Sequence, residues 1–229
     1  MKCIILAGGK GTRISELSKS MPKPMIKILG KPIIFRIIMH YHKFGFKDFI
    51  IAAGYKKNFI KDYFKKKNFK DIKINVVDTG LNTMTGGRLK RLKRYVKDET
   101  FMLTYGDGLS NVNIKKLVNF HKKHKKIATL TAVRPPARFG AIKINGNIIK
   151  YFKEKSKLDV GWINGGFFVF DSKIFEYIKG DKTFLEKEPL QKISKRGELY
   201  AYKHSGFWQC MDTVRDKEIL EKILKIKKL

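Results

Sequence analysis

Six residues near the start of the chain carry its densest chemical signal: Gly8-Gly9-Lys10-Gly11-Thr12-Arg13. They follow an apolar run over 2–6 that reads as a buried strand. Glycines let main-chain N–H groups close on a phosphate and accept positive φ, so such a loop can form an anion nest. Spacing excludes two well-known phosphate loops. A Walker A loop needs Ser or Thr after its lysine, but Gly11 follows Lys10. A dinucleotide fingerprint needs a third glycine where Ile14 stands, and an acid where the second strand ends in Ala52-Ala53-Gly54. A plain tight turn stays open as the alternative.

The elements that must position this loop are read from periodicity. Short β-branched runs predict strands over 2–6, 48–53, 72–77, 101–105 and 127–133. Amphipathic stripes predict helices over 31–44, 56–67, 87–96 and 112–124. This β-α-β-α order points to a mostly parallel sheet covered on both faces. The rhythm changes after Pro135-Pro136. Strands are expected over 139–144, 148–153 and 162–170, with Gly146 at a hairpin turn. Helices follow over 172–178 and 185–194, then a strand over 198–204 and a helix over 213–226. No repeat or linker interrupts the chain, so one domain over 1–229 is the expectation.

The 229 residues are 43% hydrophobic, enough to bury a core and exclude disorder as the main state. No apolar run approaches the ~18 residues of a membrane span, so no membrane association is expected. The opening apolar run is also shorter than the ~7–15-residue core of a signal peptide. Cys3 and Cys210 are the only cysteines. They make neither a disulfide framework nor a metal cluster, and a cytoplasmic location is expected. The formal charge of +31 raises nucleic acid as a partner. Against it, the basic residues are overwhelmingly lysine and widely spread, whereas phosphate and base recognition favours arginine's planar fork. No nucleic-acid partner is expected, and the excess suits small polyanionic substrates.

Beyond the loop, motifs continue in order along the chain. Leu6-Ala7-Gly8-Gly9-x-Gly11-Thr12-Arg13 is followed by Pro22-Lys23-Pro24-Met25, Lys31-Pro32-Ile33 and Asp78-Thr79-Gly80. Then come Met84-Thr85-Gly86-Gly87-Arg88-Leu89-Lys90-Arg91, Thr104-Tyr105-Gly106-Asp107-Gly108, Arg138-Phe139-Gly140 and Glu154-Lys155. Ile163-Asn164-Gly165-Gly166 and Gly206-Phe207-Trp208-Gln209-x-Met211-Asp212-Thr213 complete the series. The whole resembles the sugar-phosphate nucleotidyltransferase family, and the Met84–Arg91 and Gly206–Thr213 motifs resemble its branch that transfers a cytidylyl group to glucose 1-phosphate. The resemblance implies a three-layer α/β/α Rossmann-like nucleotidyltransferase fold with a mostly parallel central sheet and a β-rich elaboration. It implies CTP and a sugar 1-phosphate as substrates, CDP-glucose and pyrophosphate as products, and Mg²⁺ as cofactor. A cytidylyltransferase or other nucleotidyltransferase acting on a different sugar or polyol phosphate is the alternative within the class, a non-catalytic basic nucleic-acid-binding protein is the alternative outside it, and homo-oligomerisation is left open.

Under that resemblance the nucleophile is already an anion, so the problem is electrostatic: two polyanions must meet while charge grows on pyrophosphate. Arg13 and Lys23 are expected to be catalytic, Arg13 reaching the β- and γ-phosphates and Lys23, rigid between prolines, the α-phosphate. Leu6, Ala7, Gly8, Gly9, Lys10, Gly11, Thr12, Thr83, Gly87, Arg88 and Gly106 are expected to bind the nucleotide. Gly86 and Gly87 would lie against the pyrimidine, and Arg88 would donate to base or phosphate. Asp107 and Asp212 are expected to share the metal, which takes one or two carboxylates plus phosphate oxygens. Asp212, just before Thr213, could instead be a helix N-cap. Glu154, Lys155 and Asn164 are expected on the sugar phosphate, although an exposed Glu154–Lys155 pair is ordinary in so lysine-rich a chain. Ser156 and Cys210 stand where the family tends to have proline. A shorter segment over 65–72 replaces a longer family insert, which leaves assembly and sugar choice open.

Overall fold

The computed structural model describes residues 1–66, 69, 71–135, 141–153 and 161–227. Its main sheet runs, in spatial order, through Leu199–His204, Ala128–Val133, the broken strand Ile163–Asn164 and Phe168–Phe170, Phe101–Tyr105, Cys3–Ala7, Asp48–Ala53 and Lys73–Asp78. All neighbours are parallel except the broken strand, which is antiparallel to both sides. The expected mixed α/β fold with a mostly parallel sheet is therefore present.

Alternation along the strands builds two cores, because successive side chains point to opposite faces. Cys3, Ile5 and Ala7 join Phe49, Ile51 and Met102 beneath helices Ile33–Lys43, Ile114–His124 and Val214–Lys227. Ile4 and Leu6 join Ile50, Leu103, Phe168 and Phe170 on the other face, under Leu89, Leu92, Leu190 and Ile193. Three layers result. No helix among the described residues is long and apolar enough to cross a membrane.

Several boundaries differ from the periodic reading, each for a local reason. Lys31–Pro32 pairs with Lys27–Ile28 as a short ribbon, and the helix starts only after Pro32. It ends where Gly45, at φ 87, lets its N–H bond His42 O at 2.8 Å. The expected 87–96 helix begins earlier and divides into Thr85–Arg91 and Lys93–Val96. The expected 162–170 strand breaks at Gly166 and Phe167, both at positive φ. Gly146 does turn a hairpin, between Ala141–Asn145 and Ile148–Lys153.

Candidate active site

The glycine loop leaves the sheet at the C-terminal end of its first strand, where ligands bind in open α/β sheets. Gly11 has φ 68 and its carbonyl accepts from Ile14 N and Ser18 Oγ, both at 3.0 Å. Leu6, Ala7, Gly8, Gly9, Gly11 and Gly106 line a cleft of about 130 Å³ together with Lys23, Arg88 and Asp107. Lys10 and Thr12 are exposed, and Thr83 is buried. A wider cleft of about 440 Å³ lies between Glu176 and Arg196, but none of the motif residues lines it.

Arg88 reaches this cleft as a brace for the loop. Its Nη2 donates to Gly8 O at 2.9 Å, and its Nη1 to Gly80 O at 2.7 Å and Thr79 Oγ1 at 2.8 Å. Burial, then the nearby charge of Arg91, lowers its pKa from the ordinary arginine value. Arg88 lines the cleft while its guanidinium donates within the protein. Gly8 fits this brace: a Cβ there would stand 2.1 Å from Arg88 Nη1. Gly86 and Gly87 admit a second close approach: added Cβ atoms would meet Thr183 O at 2.8 Å and Asp181 Cα at 2.5 Å, so the 181–185 backbone packs against these glycines. Met84 N and Gly87 N bond Asp181 O and Thr183 O across the same contact.

The two aspartates, 105 residues apart in sequence, are joined by a ribbon that periodicity does not reveal. Gly108–Ser110 pairs antiparallel with Trp208–Cys210, and Met211 N donates to Asp107 O at 2.9 Å. Lys23, held in a short 3₁₀ turn after Pro22, points its ammonium between them. Its Nζ lies 2.5 Å from Asp107 Oδ2 and 2.7 Å from Asp212 Oδ1. Arg13 Nη1 closes the group at 2.7 Å from Asp212 Oδ2. Burial works against the Lys23 charge, but Asp107 and then Asp212 outweigh it and hold the pKa above the ordinary lysine value. Burial likewise opposes the Asp212 carboxylate, and Lys23, followed by Arg13, brings it below the ordinary value.

The helix-cap alternative for Asp212 is answered by its neighbours. Thr213 Oγ1 accepts from Asp216 N at 3.2 Å, while Asp216 Oδ2 accepts from Thr213 N at 2.9 Å and Asp212 N at 3.1 Å. Thr213 and Asp216 form a reciprocal capping box, which leaves the Asp212 side chain to the cleft. Two hard carboxylate oxygens converging on one ammonium make a donor set that suits Mg²⁺, which takes one or two carboxylates and fills its remaining positions with phosphate oxygens and water. No group of three or more metal-ligating side chains occurs among the described residues.

Asn164, expected on the sugar phosphate, is bonded to its neighbours in the fold. Its Oδ1 accepts from Gly166 N at 2.9 Å and its Nδ2 donates to Tyr105 OH at 3.3 Å. Glu154 and Lys155 lie outside the described residues, as do Arg138 and Ser156. Sequence reasoning missed Thr85, Tyr105 and Glu186, which this end of the cleft brings together. Tyr105 had a usable signal, being the strand residue two before Asp107; Glu186 had none. The five histidines are engaged elsewhere: His40 with Val112 O, His42 with Asp71, His121 and His124 with Thr129, and His204 with Asn111.

A strand-end glycine loop facing a lysine between two carboxylates defines a site built for phosphoryl groups. The chain matches the nucleotidyl transferase family model over residues 2–222 and belongs to that family. It is similar to glucose-1-phosphate cytidylyltransferase of Salmonella typhimurium, at 47% identity over 96% of this chain and 95% of that protein. It is also similar to the probable glucose-1-phosphate cytidylyltransferase of Bacillus subtilis, at 40% over 94% and 93%. Among solved structures, HddC from Yersinia pseudotuberculosis, complexed with GMP-PN, superposes with a TM-score of 0.78 at 26% identity, covering 97% and 99% of the two chains.

Proposed function

We propose that the protein transfers a cytidylyl group from CTP to glucose 1-phosphate, releasing pyrophosphate and forming CDP-glucose, in the cytoplasm. The observation that carries this reading is the near-full-length similarity to two cytidylyltransferases, together with a cleft whose charges suit the reaction. The attacking phosphate oxygen is anionic and needs no general base, which accords with histidines that are all engaged elsewhere. Lys23 lines the same cleft as the glycine loop, and its ammonium, freed when a metal takes over Asp107 and Asp212, would meet the α-phosphate. Arg13 has 75% of its side chain exposed and can move from Asp212 to the β- and γ-phosphates with a fork of donors. Asp107 and Asp212 would hold Mg²⁺, which when bound neutralises triphosphate charge.

The test is pyrophosphate release with Mg²⁺, glucose 1-phosphate and each of the four ribonucleoside triphosphates in turn. Turnover is expected with CTP, and D107A and D212A are expected to abolish it with the fold intact. Equal or better turnover with another nucleotide would overturn the cytidylyl assignment. Robust transfer to another phosphate, with glucose 1-phosphate inert, would overturn the acceptor.

A further inference from the structure

Every proton at the Tyr105 end of the cleft can be traced. Gly166 N–H donates to Asn164 Oδ1, which fixes the Asn164 amide with its Nδ2 toward Tyr105. That amide donates to Tyr105 OH, and the Tyr105 hydroxyl donates to Glu186 Oε1 at 2.7 Å. On the other branch, Leu185 N–H donates to Thr85 Oγ1 at 2.9 Å, and Thr85 donates to Glu186 Oε2 at 2.6 Å. An ionised carboxylate has no proton to give, so Glu186 fixes the direction of both hydroxyls. Tyr105 and Thr85 line the cleft, yet each has spent its only proton on Glu186. Each hydroxyl has also accepted one hydrogen bond, which leaves it one lone pair.

We propose that Glu186 is a positioning residue that makes this wall of the cleft acceptor-only, so that Tyr105 and Thr85 select a substrate hydroxyl able to donate. The inference rests on the reading above for its substrate, and it assigns this wall to the sugar because Asn164 belongs to the same bonded chain. Packing holds the device rigid. The Tyr105 ring meets Phe168 edge-on with centroids 5.8 Å apart. Gly166, at φ 74, admits it where a Cβ would sit 3.0 Å from Tyr105 Cδ2.

A sugar hydroxyl donates, whereas fluorine in its place cannot, so singly fluorinated glucose 1-phosphates read the wall directly. Their binding is measured by calorimetry, which needs no turnover, for wild type, Y105F and E186Q. In wild type, fluorine at the recognised position is expected to weaken binding about tenfold or more, the scale of one lost hydrogen bond in a site that reads a polar group. Y105F is expected to erase most of that penalty and to affect CTP binding less than sugar-phosphate binding. In E186Q the amide must donate to one of the hydroxyls, which turns that hydroxyl's proton outward, and the penalty should likewise shrink. Equal fluorine penalties in wild type, Y105F and E186Q would overturn the inference, as would parallel losses for CTP and sugar phosphate with a lowered Tm. Glucose 1-phosphate that binds with this pattern but is not turned over would overturn the proposed reaction and support the inference. Absence of any sugar-phosphate binding by wild type would overturn both.

Discussion

Replacing Lys23 by methionine removes one positive charge from between two carboxylates and keeps most of the packed stem. Removing one partner of a buried ion pair costs about 3–5 kcal/mol, because the other charge stays buried without compensation. Asp107 and Asp212 retain 27% and 21% of their side-chain exposure, and solvent screening at that exposure brings the cost to about 2–3 kcal/mol. For a chain of 229 residues, each kcal/mol moves Tm by about 2–4 °C, so K23M should melt about 4–12 °C lower than wild type. Mg²⁺ without nucleotide then becomes diagnostic. In the wild type Lys23 Nζ already occupies the point between Asp107 Oδ2 and Asp212 Oδ1. In K23M that point is free, and a divalent ion at a hundredfold excess over its Kd restores about 2.7 kcal/mol. Differential scanning fluorimetry of both proteins, with and without Mg²⁺, should therefore show a much larger Mg²⁺ response in the variant. Equal responses, or a K23M Tm equal to wild type, would refute the view that Lys23 and a metal compete for one pair of carboxylates.

Gly87→Ala should destabilise by about 1–3 kcal/mol, because its Cβ would press on the Asp181 backbone at 2.5 Å and backbone cannot swing away; urea denaturation measures it, and an unchanged midpoint would show that the 181–185 segment yields freely. The lowered Asp212 pKa contributes stability that is fully present above the ordinary value of 3.8 and lost as pH falls through the lowered value. The stability difference between wild type and D212N should accordingly be constant near neutrality and vanish in acid, and a difference that grows on acidification would contradict the ion-pair geometry. Cys210, pushed up to about 11 by burial and then by Asp212 and Asp107, should resist iodoacetamide at pH 8 until the protein is unfolded, with mass spectrometry as the readout.

The central strands were legible because burial on both faces demands continuous apolar runs, and 48–53 and 101–105 are matched residue for residue. The ribbon that joins the two aspartates was not legible. Three residues a side carry no period, and the Gly108–Ser110 to Trp208–Cys210 pairing is specified only by the sheet and helices around it. The Asp212 ambiguity, by contrast, was resolvable from sequence: Thr213-x-x-Asp216 is a local capping-box pattern that relieves Asp212 of the cap.

The glycines expose the limit of motif reading most clearly. A glycine in a motif reports that something approaches the main chain closely, but not what approaches. At Gly8 and Gly54 it is the Arg88 guanidinium, and at Gly86 and Gly87 it is the 181–185 segment, more than ninety residues away in sequence. Gly9 alone of the three loop glycines has no protein atom within 4 Å of where its Cβ would stand. Open space beside the loop therefore lies at Gly9, while Gly8 admits the brace behind it. Arg88 is the link between the two functions. Its fork holds the Gly8 and Gly80 carbonyls in one geometry, so the loop meets its ligand already shaped, and the ordering cost is met at folding rather than at binding.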